Sequence, residues 1–405
     1  MAIRILKEKF SINRKLLYGG KLFHVRCCAH ILNLMVQDCL PQIKYIIEDI
    51  YDSVLYIKLT EGKLNIFSEI VQQLQLPYRK LILDCRTRWT STYEMLATAL
   101  KFKEVFARFK EREPHYNFWP NLEDWEKVDK VCEILKVFNS ATNIISGSDY
   151  PTPNLFLIEV CRVKVLLDKK SQDENEFIRD MVKKMKDKFD KYWEECNLFI
   201  AVTAVLDPRC KMRVIDFCFS KMYHEHEAQE NIMRVQEVLY ELYGEYVAEN
   251  QSSSNDHTIE TEVIGGVNVE DESSGWSEFA QFLRAQKSEL DCYLEEGCHR
   301  CKGDPNAFDA LKWWKAYNLE YPILSMMARD ILAIPITTVA STDTYSAGSR
   351  VIDDYRASLS QETVQMLLCG GDWCRNLNGV KKINEEELEE MILPIPSLDE
   401  IQKTV

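Results

Sequence analysis

The amino-acid sequence predicts a mainly α-helical protein, because apolar residues recur at intervals of three and four along most of the chain. The most regular stripe lies between Pro322, which suits a first helical turn, and Pro335, which ends a helix. Its members are Leu324, Met327, Ala328, Ile331 and Leu332. A chain of 405 residues also exceeds one hydrophobic core, so two or three packed units are expected.

Composition narrows the class of function. The formal net charge of −14 argues against a nucleic-acid surface along the whole chain, so any DNA contact must be local. Residues 1–26 form one local basic stretch, with seven Lys and Arg against the single acid Glu8. This stretch fits either a solvated helix face or an edge that contacts phosphates. Fourteen scattered cysteines predict reduced thiols, and no apolar run is long enough to cross a membrane.

The first elements along the chain surround a Cys-x-x-His spacing. A glycine pair at 19–20 predicts a turn into a short strand over 23–27, and a helix follows from near Ala29. Cys27 and His30 are spaced so that one helical turn could direct both toward a common metal ion. Two ligands do not complete a zinc site, and no second pair lies nearby in the sequence, so no metal is expected here.

The middle of the chain is predicted to be helical. Residues 83–92 are typical of a loop that leads into a helix over 93–100. A break at 146–154 predicts a loop, and the acidic, Ser- and Gly-rich segment 248–276 predicts a disordered linker. Three apolar stripes between these points are typical of core helices. They are formed by Phe102, Val105, Phe106 and Phe109, by Trp125, Val128, Cys132 and Leu135, and by Phe177, Met181, Met185, Phe189 and Trp193.

The last quarter of the chain, residues 288–375, contains short helices. They carry more large apolar and aromatic side chains than such short pieces can bury among themselves. Trp313 and Trp314 lie in one of them, and Ser360 is the predicted N-cap of another. These apolar faces must therefore pack either against the rest of the chain or against a second copy.

Several stretches resemble the hAT-type transposases, in the plant branch that includes the domesticated RICESLEEPER and DAYSLEEPER proteins. The resemblance is densest over 288–375, and it extends upstream to the Cys-x-x-His segment, to Arg88-Trp89 and to the apolar run that ends in Asp207-Pro208-Arg209. It implies a remnant of an RNase-H-like fold, interrupted by a large helical insertion and followed by a helical C-terminal dimerisation region. The implied organisation is a residual RNase-H-like segment (1–40), the start of the insertion (41–130), a central region (131–247), the linker (248–276), the dimerisation region (288–376) and an acidic tail (377–405).

The resemblance also implies where partners would bind. In the family the Trp of the Arg-Trp motif is implicated in stacking on an unpaired base, which makes Arg88 and Trp89 DNA-binding candidates together with Arg26, Cys27 and His30. Thr90 replaces the usual Asn, and a buried structural role for Trp89 is equally open. Dimerisation with a second copy, or with a related hAT protein, is expected through the C-terminal region. Its candidate residues are Leu311, Trp313, Trp314, Tyr321, Leu324, Met327, Ile331, Leu332 and Trp373.

Transposases of this type need three carboxylates to hold two divalent metals across the scissile phosphate. In the family the third is the Glu of an Ala-Ser-Glu-Ser-x-Phe-Ser motif, but this sequence has Thr342 at that position and Asp343 one residue later. The first two acids, and the BED zinc finger of the family, would fall before Met1. We therefore expect a non-catalytic, transposase-derived protein with no cofactor and no small-molecule substrate. Its expected location is the nucleus, or the cytosol if an import signal was lost.

Two alternatives stay open. One is a metal-dependent DNA transposase or nuclease that recruits Asp84, Asp207 or Asp343 as its metal ligands. The other is a truncated gene product whose missing N-terminal part carries the BED zinc finger and the catalytic acids.

Overall fold

Helices form all the regular structure in the part of the chain that the computed structural model describes, namely residues 2–13, 16–20, 25–77, 79–85, 89–118, 120–146, 153–255, 287–301 and 308–337. Short 3₁₀ helices cover Leu17–Gly20 and Leu40–Ile43. The described helices include none that is long and apolar enough to cross a membrane. The α-helices are α1 (Ala2–Asn13), α2 (Cys28–Cys39), α3 (Lys44–Lys58), α4 (Glu61–Gln73), α5 (Trp89–Lys101), α6 (Lys103–Arg112), α7 (Leu122–Ile145), α8 (Pro153–Lys170), α9 (Glu176–Val205), α10 (Met212–Met222), α11 (Glu225–Asn255), α12 (Glu289–Glu295), α13 (Ala310–Ala316) and α14 (Pro322–Leu332).

Helices α3 to α6 pack around a cluster of phenylalanines. Phe67 of α4 lies edge-on to Phe102, Phe106 and Phe109, with ring centroids 5.5 to 6.2 Å apart. Such edge-to-face pairs stabilise a core by about 0.5–1.5 kcal/mol each beyond the area they bury. The predicted stripe over 102–109 is therefore confirmed as core, because all four of its members are buried.

The long helices α7, α8 and α9 form the centre of the described structure together with α2. Helix α7 begins with a capping box between Asn121 and Asp124, which satisfies two backbone N–H groups at its N-terminus. It packs on α2, α5 and α8, while α9 packs on α2, α8, α10 and α11. The stripe predicted over 125–135 is buried, and so is the stripe over 181–193, with Phe177 partly buried at its edge.

The C-terminal helices pack onto this centre. Helix α14 contacts α9, α11, α12 and α13. Its first turn is capped from α12, where the Glu289 carboxylate accepts the backbone N–H groups of Ile323 at 3.0 Å and Leu324 at 2.8 Å. The predicted helix between Pro322 and Pro335 is confirmed, and its apolar stripe is buried.

The structure differs from the sequence-based expectation at two places. Residues 25–27, the described part of the predicted strand, are irregular and form no strand. The Cys27 carbonyl accepts the Ile31 N–H at 3.1 Å, and the Cys28 N–H donates to the Ile336 carbonyl at 2.8 Å. Helix α11 continues to Asn255, so the linker was predicted to begin too early at 248. A growing helix gains one hydrogen bond for each residue it fixes, and polar residues continue it at little cost.

Candidate nucleic-acid and dimerisation sites

Trp89 is the first residue of α5 and forms one wall of a pocket. The pocket has a volume of about 360 Å³ and lies between the end of α2, helix α3 and the start of α5. The Trp89 side chain is 7% exposed, so its indole is mostly packed and only part of it faces the pocket. Arg88, the other residue of the Arg-Trp motif, lies outside the described residues. The other lining residues are Gln37, Leu40, Pro41, Lys44, Ile47, Glu48, Tyr51, Asp84 and Thr92.

Asp84 is hydrogen-bonded to the first turn of α5, the helix that Trp89 begins. The Ser91 hydroxyl donates to Asp84 Oδ1 at 2.6 Å, and the Thr92 hydroxyl donates to the same oxygen at 3.0 Å. The Cys85 N–H donates to Ser91 Oγ at 2.8 Å, which closes the loop onto the first turn of α5. A carboxylate beside the N-terminus of a helix is also favoured by the helix dipole. Asp84 therefore holds the first turn of α5, a role that its position in the sequence does not indicate.

Arg26, Cys27 and His30 lie together at the N-terminal end of α2. Cys27 is the N-cap residue, with its Sγ 3.7 Å from the Thr337 hydroxyl, and His30 is exposed. The Arg26 guanidinium lies 5.5 Å from the centre of the Tyr192 ring, within the range of a cation–π contact. No group of three or more His, Cys, Asp or Glu side chains that could hold a metal ion occurs among the residues with described positions.

The structure does not bring this cluster together with Trp89. The Trp89 pocket begins at Gln37 and Leu40, at the C-terminal end of α2. A rise of 1.5 Å per residue separates the two ends of α2 by about 15 Å. The predicted DNA-binding residues therefore divide into two places, a pocket at one end of α2 and a small basic and polar group at the other.

Most of the predicted dimerisation residues are buried within their own chain. The Trp314 side chain is 1% exposed, and its Nε1 donates to the Leu206 carbonyl at 2.8 Å. Leu311 and Trp313 are partly buried, and Trp373 lies outside the described residues. These side chains are packed within their own chain, and their assignment to the dimer contact stays a prediction. The buried ones are Trp314, Tyr321, Leu324, Met327, Ile331 and Leu332.

The aromatic residues of this region instead cap the end of α9. The last turn of an α-helix leaves its carbonyl groups without intrahelical partners. The Tyr293 hydroxyl donates to the Val205 carbonyl at 2.9 Å, next to the bond from Trp314 to Leu206. The C-terminal region thus satisfies two backbone acceptors at the end of α9, so each part stabilises the other.

The turn after α9 is joined to the same region by Lys211. Its ammonium group is almost fully buried and donates to the carbonyls of Tyr293 at 2.5 Å and Glu296 at 3.1 Å. It also lies 4.4 Å from the centre of the Tyr293 ring. Burial lowers the pKa of Lys211, because the charged ammonium loses water on folding. The His299 N–H donates to the Pro208 carbonyl at 2.8 Å and completes the attachment.

Asp207, one of the carboxylates considered as an alternative metal ligand, is fully buried and already paired. Arg209 donates to both of its oxygens, from Nε at 3.0 Å and from a terminal guanidinium nitrogen at 2.7 Å. Asn154 donates to the second oxygen at 2.7 Å. Two-point pairing of this kind fixes a carboxylate in a structural role. Asp343 lies outside the described residues, as does Thr342.

Three consecutive segments of the chain match models of known protein families. Residues 25–134 match the family model of the ZBED1 RNase-like helical domain, and residues 154–246 match the hAT-like transposase RNase-H fold. Residues 289–374 match the C-terminal dimerisation region of the hAT family.

Curated plant proteins are similar along most of the chain. The zinc finger BED domain-containing protein RICESLEEPER 2 of Oryza sativa subsp. japonica is 38% identical over 391 residues, which cover 92% of this chain and 54% of that protein. DAYSLEEPER of Arabidopsis thaliana is 36% identical over 318 residues, covering 77% and 44%. A putative AC transposase of Zea mays is 35% identical over 376 residues, covering 91% and 46%. The chain thus spans about half the length of the curated relatives it matches.

Proposed function

Because this chain is a hAT transposase-derived protein related to RICESLEEPER and DAYSLEEPER, with a hAT dimerisation region, we propose that it is a non-catalytic DNA-binding protein that acts as a dimer. Its site of action would be the nucleus, where the DNA is. The partner in the dimer would be a second copy or a related hAT protein. The DNA contact would be an unpaired base held in the Trp89 pocket.

The pocket beside Trp89 is the observation that carries the DNA-binding proposal. Its volume of about 360 Å³ is that of a small-molecule site, which typically spans roughly 300–1,000 Å³. Trp89 and Tyr51 supply aromatic surface, on which a base extruded from a duplex can stack. Asp84 is hydrogen-bonded to Ser91 and Thr92, in the first turn of α5 that Trp89 begins, before any ligand arrives.

The polar groups of the pocket suit a base better than a phosphate. Asp84 and Glu48 are carboxylates, which repel phosphate but accept hydrogen bonds from the amino groups of a base. Lys44 lies on the rim with its side chain 75% exposed, where it could meet the adjoining backbone phosphate. Such a site would recognise an unpaired nucleotide locally and would not require a basic surface on an acidic protein.

The experiment is a binding titration with two fluorescent DNA probes, a duplex containing one unpaired base and the same duplex fully paired. Loss of base stacking costs about 1–3 kcal/mol, so Trp89→Ala should weaken binding of the first probe by about 5- to 150-fold. Binding of the paired probe should change little, because phosphate contacts are unaffected. Fluorescence anisotropy at fixed low salt provides the measurement.

Two further variants separate stacking from folding. Trp89→Phe keeps an aromatic ring in the packed position and should weaken binding less than Trp89→Ala. Lys101→Glu changes an exposed cation at the far end of the same helix and should leave the discrimination between the probes intact. If folded Trp89→Ala and Trp89→Phe proteins both bind the unpaired-base probe like the unaltered chain, the pocket is not the DNA site.

The proposed lack of catalysis is supported by the position of the family Glu, where this sequence has Thr342. Asp207 supports it as well, because Arg209 and Asn154 occupy its carboxylate oxygens. Incubation of hairpin and nicked duplex DNA with the chain and either Mg²⁺ or Mn²⁺ should therefore give no cleavage. Metal-dependent cutting that disappears in Asp343→Ala or Asp84→Asn would instead establish the nuclease alternative.

A further inference from the structure

Most large side chains in the described part of the dimerisation region are packed within their own chain. In the described part of residues 289–374, Tyr317 and Leu319 are the large apolar side chains that remain exposed, at 38% and 93%. Both lie in the turn that connects α13 to α14. We call residues 317–320 the α13–α14 tip. A leucine as exposed as Leu319 gains nothing from its own chain, and an aromatic beside it adds contact area that a partner could cover.

The tip is held in one conformation. The Tyr317 carbonyl accepts the N–H groups of Glu320 at 3.1 Å and Tyr321 at 3.0 Å. The Tyr317 ring stacks on Trp313, with centroids 4.2 Å apart and planes 18° apart. Asp309 caps the start of α13 by accepting the Leu311 N–H at 3.0 Å. Rigid aromatic and aliphatic groups make efficient contacts because little side-chain freedom is lost when they bind.

Opposite charges flank the apolar tip. Lys315 lies before it on α13, Glu320 lies at its end, and both are exposed. In a two-fold symmetric contact the same patch meets itself, so a residue on one copy faces a different residue on the other. Two tips placed against each other can then pair Lys315 of each copy with Glu320 of the other, while the leucines meet between them.

We infer that the α13–α14 tip is part of the contact with a second copy of this chain. The inference rests on the proposed dimer and names the surface that forms it. The match to a dimerisation region supports a second copy as the occupant. In the described part of that region, Tyr317 and Leu319 are the exposed large apolar side chains. A standard interface buries about 800 Å² per partner, which is more than the tip alone can supply, so further residues must contribute to the contact.

The test is the dissociation constant of the dimer, measured by sedimentation equilibrium on the full chain. Leu319→Glu places a charge in the proposed contact and should raise this constant at least tenfold, with no change in helical content because the side chain is exposed. Leu122→Glu is the matched control, since Leu122 is also exposed, at 74%, but lies at the start of α7 outside the dimerisation region. It should dimerise like the unaltered chain.

A charge exchange tests the symmetry of the contact. Lys315→Glu and Glu320→Lys should each weaken the dimer, and the double variant should recover most of the loss, because the pair is restored with its signs reversed. A dimer that Leu319→Glu leaves unchanged would overturn the tip as the interface while leaving the proposed dimer intact. An unaltered chain that stays monomeric at high concentration would overturn the proposed dimer itself, and this surface with it.

Discussion

Trp313 and Trp314 are neighbours in the sequence, but their indole N–H groups have different surroundings. Trp314 points into the centre of the molecule, where its indole N–H meets the Leu206 carbonyl at the end of α9. The Trp313 ring lies against Trp314, with centroids 5.0 Å apart, and stacks on Tyr317. Its buried Nε1 has no hydrogen-bond acceptor among the described residues. Removal of the indole nitrogen therefore breaks a hydrogen bond at Trp314 but breaks none at Trp313.

Substitution by phenylalanine should therefore separate them. Trp314→Phe leaves the Leu206 carbonyl buried without a donor, which costs about 1–3 kcal/mol of unfolding free energy. Trp313→Phe removes an N–H group that is already unpaired, so it should cost less, although both changes remove a similar volume. Urea unfolding followed by circular dichroism measures both. Equal losses would show that volume, and not the hydrogen bond, governs the cost.

Lys211 is a second residue whose role depends on its surroundings. Its backbone has φ 50° and ψ −150°, a conformation that is rare for any residue except glycine and costs about 1–3 kcal/mol. The strain persists because the ammonium group is held by the carbonyls of Tyr293 and Glu296. A lysine in an Asp-Pro-Arg-Cys-Lys turn gives no signal of this conformation, so the sequence analysis could not have found the attachment.

At the scale of elements, the first turn of α12 carries side chains that cap α12 and also α14. Ser288 and Asp291 form a capping box at its N-terminus, and the Asp291 carboxylate also accepts the Tyr240 hydroxyl at 2.5 Å. Glu289, in the first turn, caps α14. A helix of seven residues is marginal alone, so these bonds to its own cap and to α11 and α14 explain why it forms here.

The cap of α12 should make stability depend on pH. Hydrogen bonds from the Ser288 and Tyr240 hydroxyls lower the pKa of Asp291 below its ordinary value. A carboxylate with a lowered pKa contributes stability above the ordinary value of about 3.9 and loses it as the pH falls through the folded-state pKa. Asp291→Asn should therefore be less stable than the unaltered chain by up to about 1 kcal/mol at pH 6.5.

The same difference should shrink at pH 3.5, which lies below the ordinary value of about 3.9, because Asp291 is then mostly protonated in the unfolded chain. Urea midpoints at the two pH values measure this change. Asp187→Asn, which alters an exposed acid on α9, is the control and should follow the pH dependence of the unaltered chain. If Asp291→Asn and the unaltered chain differ in stability by the same amount at both pH values, the charge of Asp291 does not contribute to stability.

Apolar periodicity predicted the helices well but not their partners. The stripes over 102–109, 125–135 and 324–332 are all buried, since a repeat of three and four residues defines one face of a helix. Periodicity does not say whether that face meets the same chain or another copy. The structure adds that α14 packs on α9 and α11 of its own chain. In the same way, the Arg-Trp resemblance located Trp89, but only the structure shows the pocket and the role of Asp84.

At the scale of the whole molecule, the turn after α9 joins the central helices to the C-terminal region. The carbonyl groups of Val205, Leu206 and Pro208 accept hydrogen bonds from residues in 293–314. The Lys211 ammonium group donates to two carbonyl groups in the same range. Opening the C-terminal region would leave these groups unpaired in an apolar setting and would expose the face of α14. The described part of the dimerisation region is therefore expected to open together with the central helices, and the α13–α14 tip projects from this packed base.

Native-state hydrogen exchange tests this cooperativity. If the central and C-terminal helices open together, the slowest amides at the end of α9 and in α14 should report one opening free energy. Trp314→Phe should then lower protection in both helices by the same amount, about 1–3 kcal/mol, while Trp313→Phe lowers it less in each. Loss of protection confined to α13 and α14 would mean that the C-terminal region opens alone. The dissociation of a dimer formed through such a region would then depend on this local opening and not on the stability of the whole chain.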